Sequence, residues 1–272
     1  MPATIASIHA YPLKSGAPLT LAAAEVEARG IAGDRRWMLV DANGKFVTGR
    51  QFARLPLVRA LPRDDGALVV DAPRMPTIAI VPPATDAARI ATAVWQADVT
   101  PLLADADAHA WFSRFLGAPV RLVHMDACCD RRVVQMYEGR YGREGDRVSF
   151  ADAFPLLLVS QAALDQLNEK LAQPVPMLRF RPNLVIAGTA PHAEDGWRRI
   201  RIGAIEFDVV KACTRCVFTT VDFERGERDP TGEPLRTLTT YRRTAEGVTF
   251  GQNLIPRGTG ILRTGDPVEI LS

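Results

Sequence analysis

The sequence predicts a strand-rich α+β fold, and three observations carry that reading. Short alternating or β-branched runs recur along the chain, punctuated by 20 Gly and 20 Pro with no low-complexity tract. Only two stretches carry helical periodicity. The longest apolar run, Ala153 to Val159, contains Pro155 and has seven residues, against the roughly 20 that a membrane span needs.

Taken in order, the first strand is Thr4 to Tyr11. Trp37–Val40 and Lys45–Thr48 flank Asp41-Ala42-Asn43-Gly44, where Asn and Gly both tolerate positive φ and so suit a tight hairpin. Further strands are expected at Ala67–Val70, Thr77–Val81, Ala97–Leu103, Val120–His124, Asn183–Ala187, Arg199–Ile202, Ile205–Val210 and Val217–Val221. One helix is expected at Ala106–Leu116. Ala108, Trp111, Phe112 and Phe115 share its face, and Gly117 and Pro119 stop it. A second runs from Gln161 to Leu171, capped by the Ser160 hydroxyl, with Leu164, Leu167 and Leu171 inward. Val81–Ala91 and the charged segment Asp126–Asp146 read as loops.

A chain of 272 residues is long for one domain and short for two large ones. A boundary near residue 120 divides it into a strand-rich part, 1–120, and a mixed part, 121–272. The net charge of +2, from 33 basic and 31 acidic residues, gives no field that favours nucleic acid or a membrane surface, so any anion site must be local. The N-terminus carries no secretion-signal pattern. The expected location is the cytoplasm, where the four cysteines stay reduced.

The chemistry concentrates in Lys211-Ala212-Cys213-Thr214-Arg215-Cys216-Val217-Phe218-Thr219-Thr220-Val221-Asp222. Two thiols at C-x-x-C spacing sit beside Arg215 and near Lys211, cations that favour a thiolate. Four readings stand open. A structural zinc site needs two more ligands, and the adjacent Cys128-Cys129 fits zinc spacing poorly. A redox pair of thioredoxin type should open a helix, whereas an apolar strand is expected here. The pair can be buried and inert. Or one thiolate can grip a soft metal carried by a cofactor. His9, His109, His124 and His192 have no mutual spacing that indicates a metal site.

The wider pattern resembles a known family. Cys213-x-Arg215-Cys216-x-x-Thr219-Thr220-Val221-Asp222 resembles the MOSC signature. Tyr11-Pro12-Leu13-Lys14-Ser15 and Gly33-Asp34-Arg35-Arg36-Trp37 resemble elements of the N-terminal β-barrel domain that accompanies it. Phe180-Arg181-Pro182-Asn183, Glu194-Asp195-Gly196-Trp197 and Gly265-Asp266-Pro267-Val268 follow in the family order. Members include the mitochondrial amidoxime-reducing component and bacterial reductases of N-hydroxylated compounds. The resemblance implies a MOSC β-barrel domain with a smaller β-rich N-terminal domain and a molybdenum–molybdopterin cofactor between them. It implies that Cys216 ligates the metal. It implies that Lys14, Ser15, Arg35, Arg181, Asn183, Thr214 and Arg215 hold the pterin, as suits Arg and Lys facing phosphate. Taken singly, Lys14 and Arg35 read as solvated surface charges.

Asp152 matches an acidic residue near the metal in relatives, and a proton relay is its expected catalytic part; an ordinary cap or turn residue is the other reading. Relatives tend to follow it with hydroxyl residues, whereas Ala153 and Phe154 follow here. The implied activity is removal of oxygen from a small N-hydroxylated substrate. No C-x4-C-x2-C run is present, so electrons are expected from a separate flavin or iron–sulfur protein. MOSC domains also close molybdenum-cofactor sulfurases, but the chain lacks room for their pyridoxal-phosphate domain. A cofactor or sulfur carrier with no activity of its own is the alternative function.

Overall fold

A computed structural model describes residues 2–135 and 137–272. Met1 and Met136, which fall in the expected N-terminal stretch and the 126–146 loop, lie outside the described residues. The fold is α+β and strand-rich, with 37% of the chain in strands. No helix of the described residues is long and apolar enough to cross a membrane.

A nine-stranded sheet is the main layer. Its strands run in the order Leu19–Leu21, Thr4–Ala10, Leu184–Ala187, Leu156–Ser160, Gly247–Pro256, Ile205–Thr214, Arg199–Ile202 and Val268–Ile270, with Arg243–Thr244 pairing beside Gly247–Pro256. Leu156–Ser160 and Leu184–Ala187 are parallel, joined through the helix Gln161–Asn168, because parallel neighbours need a crossover. Alternate residues of these strands, including Ile5, Ile8, Leu156, Leu158, Leu184, Ile200, Phe207 and Leu254, meet in one apolar core. The N-terminal strand is therefore an interior member, one in from the edge, of a sheet otherwise built mostly from the second half of the chain.

A four-stranded sheet, Leu102–Leu103, Val120–His124, Trp37–Asp41 and Phe46–Val47, forms the centre of the other half. Trp37 and Leu39 pack into one core with Trp111, Phe112 and Phe115 of the helix Ala106–Leu116. Met38 and Val40 face a second core with Val94, Val123 and Phe150. Burial on both faces explains why this strand reads as a continuous apolar run. Packing crosses residue 120 in both directions: Val120–His124 pairs with Trp37–Asp41, and Thr4–Ala10 pairs with Leu184–Ala187.

Several elements depart from expectation. The hairpin forms, but only Gly44 takes positive φ (78°). Asp41 Oδ1 accepts from the N–H groups of Asn43 and Lys45, which closes the turn with Asn43 outside the left-handed region. Ala97–Leu103 is two strands, Ala97–Val99 and Leu102–Leu103, in different sheets; Pro101 lies between them and has no N–H for a ladder. The helix Gln161–Asn168 stops before Leu171. Ile205–Thr214 runs past Val210 to the cysteine motif. Val217–Val221 is not a strand: Val217–Thr220 is a 3-10 turn. Thr219 and Thr220 hydroxyls donate to the carbonyls of Cys216 and Val217 at 2.9 and 2.8 Å, local bonds that outcompete a ladder. The expectation missed Gly247–Pro256, Ala23–Glu27, Gly260–Arg263 and the helix Leu235–Tyr241.

Candidate functional site

The long strand Ile205–Thr214 ends at the motif, and the 3-10 turn Val217–Thr220 begins just beyond it. Cys213, Thr214, Arg215 and Cys216 are thereby set at the edge of a cavity of about 640 Å³. The nine residues expected from the sequence, Lys14, Ser15, Arg35, Asp152, Arg181, Asn183, Thr214, Arg215 and Cys216, all line it. They come from both halves of the chain.

Three of them sit in strained backbone. Ser15, Arg35 and Arg181 have φ of 65°, 49° and 55°, a left-handed region uncommon for residues other than Gly. Such strain persists only where the surroundings enforce it, and it clusters at functional sites. Arg35 is enforced by the fully buried Asp34, whose Oδ1 accepts the Tyr11 N–H at 2.7 Å while Oδ2 pairs with Arg35 Nη1 at 2.5 Å. The guanidinium groups of Arg35 and Arg181 lie 4.3 and 4.0 Å from the Tyr11 ring centroid. Asn183 Oδ1 accepts from Arg35 Nη1 at 3.1 Å, and its Nδ2 donates to the His9 carbonyl at 3.1 Å, so much of its amide is already used in positioning.

The cations outnumber their partners. Arg181 is buried, with Nη1 donating to the Gly16 carbonyl at 2.7 Å and Nη2 without a partner. Burial lowers its pKa to about 10, so it remains charged at neutral pH. Arg179 Nη1 and Arg215 Nε are likewise buried without partners, and both residues line the same cavity. Arg215 also donates to Cys213 Sγ at 2.9 Å and to the Phe180 carbonyl at 2.5 Å. A buried guanidinium N–H without an acceptor is costly. Arg179 is partly offset by Asp222 at 3.3 Å, and the three guanidinium side chains in one cavity wall give it a positive lining that suits an anion.

Around Cys216 the chemistry is more specific. Arg50 Nε donates to Cys216 Sγ at 3.2 Å, and Arg50 Nη2 pairs with Asp152 Oδ2 at 2.6 Å. Lys14 Nζ donates to Asp152 Oδ1 and to the Phe150 carbonyl, each at 2.6 Å. Desolvation by the surrounding wall would raise the pKa of Asp152, whose side chain is still 49% exposed, but Lys14 and Arg50 outweigh it and hold the carboxyl well below the usual range. Burial pulls Lys14 down to about 8, partly opposed by Asp152. Asp152 thus stays ionised, and Lys14 is the member of the pair able to exchange a proton near neutrality.

Sequence reasoning missed Arg50, Arg179 and the fully buried Arg131. Arg131 donates to the carbonyls of Ser149, Ala151 and Asp152 and fixes the loop that carries Asp152. None of the three sits in a spaced motif. One signal existed beside Arg50: a Cβ on Gly49 would lie 2.1 Å from the Phe218 ring, so any larger residue there would have to displace that ring from the cysteine turn. All four cysteines are free, and among the described residues no cluster of three or more His, Cys, Asp or Glu could hold a metal. The thiols therefore gain no protein ligands from elsewhere in the described chain.

The MOSC N-terminal beta barrel domain profile matches residues 2–119, and the MOSC domain profile matches residues 145–269. Mitochondrial amidoxime-reducing component 1 of Mus musculus is 35% identical, over 98% of this chain and 82% of its own length. The corresponding protein of Danio rerio is 34% identical, over 97% and 83%. That of Homo sapiens is 32% identical, over 98% and 83%. With these likenesses running through both halves and the cavity between them, the chain belongs to the MOSC family in its two-part form, an N-terminal β-barrel domain followed by the MOSC domain.

Proposed function

We propose that this protein is an oxidoreductase that binds a molybdenum–pterin cofactor and reduces N-hydroxylated compounds with electrons from a separate flavin or iron–sulfur protein. The observation that carries the reading is the grouping of Arg35, Arg179, Arg181, Arg215 and the free thiol of Cys216 in the wall of one cavity. These residues fit the cofactor's chemistry: a soft metal for Cys216, and a phosphate and an amide-edged ring for the donors around it. The relatives named as amidoxime-reducing components supply the substrate class.

When bound, the cofactor supplies a two-electron centre suited to oxygen removal. Cys216 Sγ is the ligand that anchors it, with Arg50 Nε beside the sulfur. Arg181 and Arg215 neutralise its negative charge, with Arg35 held against Asn183; Ser15 and Thr214 offer hydroxyls from the cavity wall. In the overall change, an amidoxime, two electrons and two protons yield an amidine and water. We assign one proton to Lys14 Nζ, held near pH 8 by burial. Asp152, ionised, accepts its hydrogen bond and keeps both Lys14 and Arg50 oriented. In this reading the proton relay expected of Asp152 passes through Lys14, which Asp152 holds in place.

The test is metal and pterin content of protein purified from a host that makes the cofactor, with turnover of benzamidoxime under a chemical reductant. Wild type is expected to carry near-stoichiometric molybdenum and to turn over; Cys216→Ala is expected to lose both. Zinc or no metal in both proteins sinks the reading. A loaded protein that hands its cofactor to an apo-enzyme and reduces nothing is a carrier instead.

A further inference from the structure

We propose that Trp95 forms the wall of a subsite for the aromatic substituent of the substrate, so that the protein selects flat aryl N-hydroxylated compounds over small aliphatic ones. The inference rests on the reductase reading and adds the substrate class to it.

Six large hydrophobic side chains are exposed among the described residues, and Trp95 is the one that lines the cavity. The residue is 49% exposed. An open indole at a cavity edge offers a large, stiff apolar surface whose desolvation is deferred until something covers it.

The backbone beneath it is built against local preference. Val94 pairs with Ala97 in the hairpin Thr92–Val94 and Ala97–Val99, which leaves Trp95 and Gln96 as its two-residue turn. Trp95 has φ of 59°. The first turn position with positive φ is where glycine or asparagine is favoured, and a bulky residue there is strained. Val94 and Ala97 are buried and Thr92 Oγ1 donates to the Gly44 carbonyl at 2.5 Å, so the turn is anchored from both sides. A strained tryptophan whose ring stays half open gains little for the fold, which marks it for another use.

Its surroundings aim the surface at the reacting centre. Phe46 packs edge-on at 5.5 Å. The Arg50 guanidinium lies 4.9 Å from the indole centroid and also donates to Cys216 Sγ and Asp152. Arg50 is therefore shared by the aromatic wall and the thiol. A ring against Trp95 would therefore lie one arginine side chain away from the thiol. Stacking on an indole favours flat aryl groups over methyl groups because area and quadrupole contribute together.

The test uses cofactor-loaded protein and two substrates with the same reacting group, benzamidoxime and acetamidoxime. Trp95→Ala is expected to lower the ratio of their kcat/KM values roughly ten-fold, through the KM of the aryl substrate, and Trp95→Phe to restore most of it. Calorimetric binding of the two products, benzamidine and acetamidine, reads the same selectivity without turnover. A ratio unmoved by Trp95→Ala in both measurements overturns the subsite. So do equal losses for both ligands with a lower kcat, which leave Trp95 as a support for Arg50. Aryl selectivity in binding that Trp95→Ala removes, in a wild type that turns over neither amidoxime, upholds the subsite and overturns the reductase reading.

Discussion

Arg181 carries a buried positive charge that meets a carbonyl and an aromatic face but no carboxylate among the described residues. Such a charge costs stability until an anion arrives. Arg181→Met is therefore expected to cut bound pterin at least roughly ten-fold while leaving the melting temperature of the cofactor-free protein level or higher. Pterin fluorescence and thermal unfolding check the two halves of that statement; a large fall in apo-protein stability makes Arg181 structural instead. The motif made Arg181 and Cys216 legible in the sequence. Lys14 and Arg35 look like surface charges one at a time, yet both are withdrawn from solvent. Arg50, Arg179 and Arg131 were illegible because an arginine outside a motif gives no sign of which carbonyl, carboxylate or cavity the fold will bring to it.

At the level of elements, periodicity succeeded where one face is buried. The helix Ala106–Leu116 has the expected bounds, with Asp105 accepting the Ala108 N–H and left-handed Gly117 as its stop. Val120–His124 and Arg199–Ile202 also match. It failed at Val217–Thr220, where a β-branched run suggests a strand and hydroxyl groups close a turn instead. That turn fixes the backbone carbonyl of Cys216. Thr219→Val keeps the shape and the backbone N–H bond to that carbonyl but removes the hydroxyl's bond. The expected cost is about 1 kcal/mol, read by urea denaturation, together with several-fold weaker molybdenum retention. Unchanged values of both assign the turn to packing alone. Gly247–Pro256 escaped notice because Gly247, Gly251 and Pro256 interrupt its apolar pattern. Gly251, at φ of 78°, lies where its backbone closely approaches Leu158.

Across the whole molecule, the α+β class was readable from the density of strand signals, whereas strand order was not, since pairings between distant segments leave no local mark. Stability should depend on acid in a definite way. Burial lowers His9 and His124 to about 4, below the unfolded value of about 6.5. As pH falls through that interval the unfolded chain takes up these protons first, so stability is full above about 6.5 and is lost toward 4. Asp152, depressed by Lys14 and Arg50, adds a further loss below about 4. Denaturation midpoints between pH 7 and 4 should decline, and His9→Gln, which keeps a polar group near Ser7 and Thr20, should flatten part of the slope. A flat profile in the wild type contradicts the burial argument. The place of Thr4–Ala10 inside the sheet also has a consequence for biosynthesis. His9 and Asn183, which exchange hydrogen bonds across the sheet, are 174 positions apart. At bacterial or eukaryotic ribosome speeds the first strand waits roughly ten to thirty-five seconds for its neighbour. During that time its apolar face needs shelter, so yield in a cell should respond to holding chaperones and to translation rate more than the final stability would indicate.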